Sequence, residues 1–191
     1  MGRQLLAALR MLAVLTVLTG FLYPLAVTLS ASLAFPAQAG GSLIRENGEV
    51  IGSALLGQAM QDKRYFWPRP SATDYNPLPS GGSNFGPTSA ALQQAVADRS
   101  AQIRTANNLP TDATIPSDLL FASGSGLDPH ISPDSARLQI ERVARSRGFD
   151  STKRQQLIQL VEQAVEPPQF GFLGEPRVNV LLLNISLDGI Q

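Results

Sequence analysis

No cysteine occurs among the 191 residues, and His130 is the only histidine. The first absence excludes thiol catalysis, cysteine-based metal centres and covalent haem attachment. The second excludes a multi-histidine metal site within the chain. Charge is missing over a long stretch as well. Residues 11–35 contain no Asp, Glu, Lys, Arg or His, and no acidic residue precedes Glu46. Several functional signatures are absent too. A phosphate-binding loop needs Gly-Lys-Ser/Thr, but Lys63 follows Asp62 and Lys153 follows Thr152. Asp62-Lys63 continues as Arg64-Tyr65, which is not the phosphorylation motif of P-type ATPases, and there is no Thr-Val-Gly-Tyr-Gly potassium filter.

What is present begins with that uncharged run. Twenty-five residues make a helix of ~37 Å, enough to cross a bilayer core of ~30 Å with some tilt. Arg3 and Arg10 lie just before it. Positive charge is retained on the cytoplasmic side, so residues 1–10 are expected inside, 11–35 across the membrane and 36–191 outside. Ala37-Gln38-Ala39 before Gly40 also resembles a signal-peptidase site, but the h-region of a cleaved signal is only about 7–15 residues. The length favours a retained anchor over a released protein cut after Ala39. Either way the C-terminal part is exported. Pro24 lacks an N–H, and its ring clashes with the carbonyl of Gly20, predicting a kink there. Thr16 and Gly20 make a small-xxx-small pair that lets another membrane helix approach.

Of the 15 basic residues, Arg3 and Arg10 precede the run, leaving 13 against 15 acidic ones and a net charge of −2 outside. That is no surface for a polyanion, which excludes nucleic acid as a partner. About 155 residues remain, the size of one domain that folds without disulfides. Asn47-Gly48 between short apolar runs predicts a hairpin. Residues 67–87 hold too many prolines and glycines for regular structure, but Trp67, Tyr75 and Phe85 argue for an ordered loop. A helix capped by Thr88 or Ser89 follows, with Leu92, Ala95, Val96 and Ile103 on one face and Asn107, Asn108 and Pro110 at its end. Ser132-Pro133 opens a second helix, with Leu138, Ile140, Val143 and Ala144 inward and Gly148 as its stop. Ser151 starts a third, burying Leu157, Leu160, Val161, Ala164 and Val165 before Pro167-Pro168. Residues 178–185, apolar and rich in branched side chains, read as a strand buried on both faces. The expected fold class is α+β: one N-terminal transmembrane helix and one extracytoplasmic domain.

Ser123, Ser125, Asp128 and His130 are close together in sequence, which suggests a hydrolase. The nucleophile-elbow pattern Gly-x-Ser-x-Gly fails at both serines, and Ser-x-x-Lys fails because Met60 and Asp150 stand three before the two lysines. Triads assemble in space, so proximity along the chain carries little weight. Ser, Gly, Asp and Pro all favour turns, and a turn with Asp128 and His130 bonded inside it is the simpler reading.

Four stretches together resemble the C subunit of the Kdp-type potassium-transporting ATPase, in order and from end to end after one anchor. They are Phe66-Trp67-Pro68-Arg69-Pro70-Ser71-Ala72, Ser80-Gly81-Gly82-Ser83-Asn84-Phe85-Gly86-Pro87, residues 122–132 around Ser125-Gly126-Leu127-Asp128-Pro129-His130, and Gly174-Glu175-Pro176-Arg177-Val178-Asn179-Val180-Leu181. Trp67 departs from the small polar residue expected there. The resemblance implies a four-part membrane complex, in which a potassium-channel-like subunit selects the ion and a P-type ATPase subunit hydrolyses ATP. The chain would be a non-catalytic accessory subunit of the cell inner membrane, described for the family as a catalytic chaperone that raises ATP affinity. No cofactor or metal is expected on the chain itself. ATP enters only through the partner ATPase subunit, and lipid contacts the anchor. Arg69, Ser71, Ser83, Asn84, Ser125, Asp128, His130, Arg177 and Asn179 are the candidate structural or interface residues, with Thr16, Gly20 and Pro24 for packing in the membrane.

Overall fold

In the computed structural model, residues 1–46 and 48–190 are described. The chain divides into two compact units, Met1–Ile51 and Gly52–Gln191.

The first unit is dominated by one apolar helix, Gly2–Ala34, long enough to span a bilayer. It comprises α1 (Gly2–Val17), a π-helical turn (Leu18–Leu22) and α2 (Tyr23–Ala34). The π-helical turn falls where the Pro24 ring removes a donor and crowds Gly20. The Tyr23 N–H reaches back five residues to the Leu18 carbonyl, and the Thr19 hydroxyl donates to the Leu15 carbonyl at 2.7 Å. A short helix, α3 (Pro36–Ala39), follows. Then β1 (Leu43–Glu46) and β2 (Glu49–Ser53) form a two-stranded sheet. Gly48 takes the positive φ expected of its turn; Asn47 lies outside the described residues.

The second unit carries the core. Residues 54–88 have no long element. Helix α4 (Ala90–Asn107) is capped by the Ser89 side chain and ends on Asn108 in the left-handed region. Only its last turns bury fully, through Ile103, Ala106 and Asn107; Leu92, Ala95 and Val96 are half-covered. A single turn, α5 (Ser117–Leu120), precedes β3 (His130–Ile131). Helix α6 (Pro133–Ser146) begins at a Ser132 cap with proline in its first turn. Gly148 follows it at φ +65°, and helix α7 (Ser151–Gln163) is capped by Asp150. β4 (Val165–Glu166) and β5 (Arg177–Asn179) complete an antiparallel sheet ordered β3-β5-β4.

The stretch 178–185 corrects the sequence reading. Its strand stops at Asn179, and Val180–Asp188 is a helix, α8. The Asn179 side chain accepts the Leu182 N–H as its cap. Val180, Leu183, Asn184 and Leu187 then bury at helical spacing. A short apolar run suits a buried helix as well as a buried strand; the capping asparagine decides between them.

α6 and α7 pack through Ile140, Val143, Ala144, Leu157 and Val161, with Leu183 and Leu187 of α8 and Val178 and Ile131 of the sheet closing the same core. Phe66, from the irregular stretch, is fully buried in it.

Candidate functional site

The four resemblance motifs, far apart in sequence, are bonded to one another. The Ser71 hydroxyl donates to the Gly126 carbonyl at 2.7 Å and accepts the Thr73 and Tyr75 N–H groups at 3.1 and 2.9 Å. The Ser123 N–H donates to the Pro70 carbonyl at 3.1 Å, and the Gly81 N–H to the Ser125 carbonyl at 2.9 Å. The Ser125 hydroxyl accepts the Leu127 N–H. Gly126 sits at φ +71°, where a Cβ would lie 2.6 Å from the Thr73 hydroxyl and 2.9 Å from the Gly81 carbonyl. A Cβ on Gly57 would meet the Asp128 carbonyl oxygen at 2.6 Å. Glycine at these positions lets the loops touch backbone to backbone.

Asp128 is the junction. Its Oδ2 accepts the Arg69 guanidinium at 2.9 Å; its Oδ1 accepts the His130 N–H at 3.0 Å and lies 3.4 Å from His130 Nδ1. His130 in turn pairs with Asn179 across β3 and β5. The Asn179 amide also donates to the Ala54 carbonyl at 2.8 Å. Arg177 pairs with Glu166 across β5 and β4, Nε to Oε2 at 3.0 Å. Ser83 is half-buried. Asn84 is exposed at φ +53°, and no bond from either side chain occurs among the described residues. Thr16, Gly20 and Pro24 are exposed on the apolar helix, and a Cβ added at Gly20 meets nothing within 4 Å.

Arg69, Asp118, Asp128, His130, Glu175 and Arg177 line an open cleft of about 430 Å³. Arg69 Nε is buried there without a hydrogen-bond partner among the described residues. Burial alone would raise the Asp128 carboxyl, but the hydrogen bonds from His130 and the Arg69 charge outweigh it and hold the group below its usual value. The stability this supplies is present above the ordinary carboxylate pKa and is lost as pH falls through the lowered value. Asp128→Asn is therefore expected to lose about 1–2 kcal/mol near neutrality and less at pH 3. Urea unfolding at the two pH values checks this, and parallel losses at both would contradict it.

Sequence reasoning missed a set of polar residues that hold residues 63–67. Asn184 accepts the Phe66 N–H at 2.8 Å and donates to the Phe66 carbonyl at 3.0 Å. Gln139 does the same for Trp67, at 2.7 and 3.1 Å. Two side-chain amides thus imitate a neighbouring strand. Arg142, 0% exposed, donates to the carbonyls of Lys63 and Tyr65 at 2.6 and 2.9 Å, to Asn107 Oδ1 at 3.1 Å and to Gln139 Oε1 at 2.6 Å. Its guanidinium stacks 4.3 Å from the centre of the Trp67 ring. Burial pushes its pKa down to about 10, which leaves it charged at neutral pH. Arg147 donates to the Arg64 carbonyl, stacks on Tyr65 and pairs with Asp188 at 2.6 Å. Asp118, also missed, accepts the Ser132 N–H at 2.7 Å and the hydroxyls of Ser132 and Ser135 at 3.1 and 2.7 Å. It sets a carboxylate at the N-terminus of α6, where the helix dipole favours it.

These features define a class: a small α+β unit with a polar-braced loop face, carried in one chain with an apolar helix of membrane-spanning length. Residues 5–189 match the family described as KdpC, the c chain of the K+-transporting ATPase, and the chain belongs to that family. It is 53% identical over 190 residues to the potassium-transporting ATPase KdpC subunit of Sorangium cellulosum (strain So ce56), covering 96% of each chain. The subunit of the same name from Geobacter sulfurreducens (strain ATCC 51573 / DSM 12127 / PCA) is 48% identical over 193 residues and 99% of each chain.

Proposed function

We propose that this chain is a non-catalytic accessory subunit of an ATP-driven potassium uptake complex. It assembles with a potassium-channel-like subunit and a P-type ATPase subunit and supports the latter's activity. The observation that carries this reading is the family match across nearly the whole chain. The geometry is consistent with it. Asp128 and His130 are engaged with Arg69 and with each other, and the described partner of the His130 ring is Asp128, not Ser123 or Ser125. They act as braces of the loop face.

Arg3 and Arg10, ahead of an uncharged helix, support an N-terminus inside and residues from Pro36 onward outside. A unit on the outer face cannot touch cytoplasmic ATP. Any effect on the pump's nucleotide affinity then acts as a coupling between conformations of the partner. A reporter enzyme active only outside the membrane, fused after the C-terminus, is expected to be active. Activity only from a cytoplasm-dependent reporter would reverse the orientation and reopen direct contact with ATP. Recovery of the other subunits with the chain from solubilised membranes tests the accessory role itself.

A further inference from the structure

A recess of about 200 Å³ lies between residues 59–75 and helix α4, wholly within the second unit. Trp67, Tyr75, Ile103 and Leu119 supply its apolar wall. Both aromatic side chains are tied down at their polar ends. The Trp67 Nε1–H donates to the Asp62 carbonyl at 3.0 Å, and the Tyr75 hydroxyl to the Arg69 carbonyl at 2.5 Å. Asp74 and Tyr75, consecutive on the lining, hold φ +50° and +59°. A bulky residue in the left-handed region is strained, and such strain persists where the surroundings impose it, characteristically beside ligands. Here the Ser71 hydroxyl, which accepts the Tyr75 N–H at 2.9 Å, and the phenol bond impose it.

Two guanidinium charges serve this recess without a carboxylate. Arg99 lines it, half-buried. Its Nη1 donates to the Leu120 carbonyl at 2.8 Å, while its Nε and Nη2 have no partner among the described residues. Those two N–H groups form the edge with which Arg137 grips Glu162, at 2.7 and 2.8 Å. Arg142 stacks on the Trp67 ring, and the acceptors it serves are carbonyl and amide oxygens. The one acid on the lining, Asp74, is exposed, so water screens it more than it screens Arg99. Burial pushes the Tyr75 hydroxyl up to about 12, so it adds no negative charge. Unpaired cations behind low-dielectric walls focus a positive potential into such a recess.

We propose that this recess binds a small carboxylate with a flat apolar body, the carboxylate on Arg99 Nε and Nη2 and the body against Trp67 and Tyr75. The size agrees: an apolar cavity of about 150 Å³ is enough to hold benzene, so there is room for one ring and its carboxylate. The walls are already fixed by their own hydrogen bonds, so little side-chain freedom is lost on binding. The site gives the subunit a ligand of its own, and it stands independently of the accessory-subunit reading.

The test uses the full chain in a non-ionic detergent, with benzoate as the probe. Trp67 is the only tryptophan and lines the recess, so its fluorescence reports occupancy directly. Benzoate is expected to give a saturable change with a Kd of about 1 mM or tighter. Benzamide, of nearly the same shape but uncharged, is expected to bind about tenfold more weakly, and benzylammonium not to saturate. Arg99→Gln is expected to weaken benzoate about tenfold. Because Arg99 also holds the Leu120 carbonyl, a second variant guards against a folding effect. Gln102 is exposed on the lining, and Gln102→Phe is expected to fill the mouth and abolish binding with the thermal midpoint unchanged. No saturation up to about 10 mM benzoate overturns the inference. Equal affinity for benzoate and benzamide overturns it as well, since the recess is then an apolar hole that ignores charge. Tighter binding of benzylammonium would put Asp74, not Arg99, in command and overturn it. Unaltered benzoate binding in Gln102→Phe would place the probe elsewhere and overturn it too. Should Arg99→Gln lower the thermal midpoint, the benzamide comparison and Gln102→Phe decide the matter.

Discussion

Arg142→Met is expected to destabilise the second unit by about 2–4 kcal/mol, because the acceptors that its buried guanidinium serves stay behind without a donor. Methionine fills much of the volume but donates nothing. The buried Asn107 oxygen then loses this donor, as do the part-buried carbonyls of Lys63 and Tyr65; a buried orphan costs about 1–3 kcal/mol before relaxation, and one that water can reach costs less. The cation over Trp67 is lost too. Arg142→Lys keeps the charge but not the fork that reaches four acceptors, and is expected to recover under half of the loss. Urea unfolding of the full chain in detergent, followed by circular dichroism, measures both. Trp67 fluorescence reports locally, because Trp67 is the only tryptophan and lies against this guanidinium. A loss below about 1 kcal/mol for Arg142→Met would mean that the carbonyls find other partners, and that the clamp on residues 63–67 belongs to Gln139 and Asn184 alone.

Asp118→Ala is expected to cost about 2–4 kcal/mol, by a different route. It removes the acceptor of three donors at once: the Ser132 N–H and the hydroxyls of Ser132 and Ser135, the last fully buried. It also strips a negative charge from the start of α6. The damage should be local before it is global. Amide exchange at residues 132–136 is expected to accelerate well beyond that at the α6–α7 contact. Ser132→Ala removes one capping hydroxyl but leaves its N–H on Asp118, and should cost about 1 kcal/mol. Equal losses for the two variants would show that the serine, not the carboxylate, holds this end of α6.

Much of the architecture was readable along the chain because single residues announce it. Ser89 and Ser132 cap their helices, Pro133 opens one and Gly148 closes it, so α4 and α6 fall where the pattern puts them; α7 begins at Ser151 as read but ends at Gln163, and Val165, read as part of that helix, lies in strand β4. The long apolar helix was legible from its uncharged length. The segment 178–185 was not, because apolar composition does not distinguish a buried helix from a buried strand; only Asn179, read as a cap, would have done so. The loop face was legible as a set of residues but not as a set of contacts. Nothing in the spacing of Arg69 and Asp128 says that they meet. The polar braces were hidden for a further reason. Gln139 and Asn184 stand at inward positions of their helices, which is a readable signal, but for Asn184 it appears only once α8 is recognised. Arg142 gives no such hint, since an arginine beside an apolar stripe is ordinarily taken to point to water.

The π-helical turn ahead of Pro24 acts as a phase shifter. Such a turn amounts to one extra residue in an α-helix, and one residue corresponds to about 100° of rotation about the axis. Side chains of α1 and α2 therefore do not continue a common stripe through residues 18–22. Thr16 lies above the insertion and Gly20 within it, so their four-residue spacing does not align them as it would in an uninterrupted helix. The two halves present their side chains at different azimuths about the helix axis. Deleting one residue from this turn would bring the two stripes into line, turning a helix with two bearings into a helix with one.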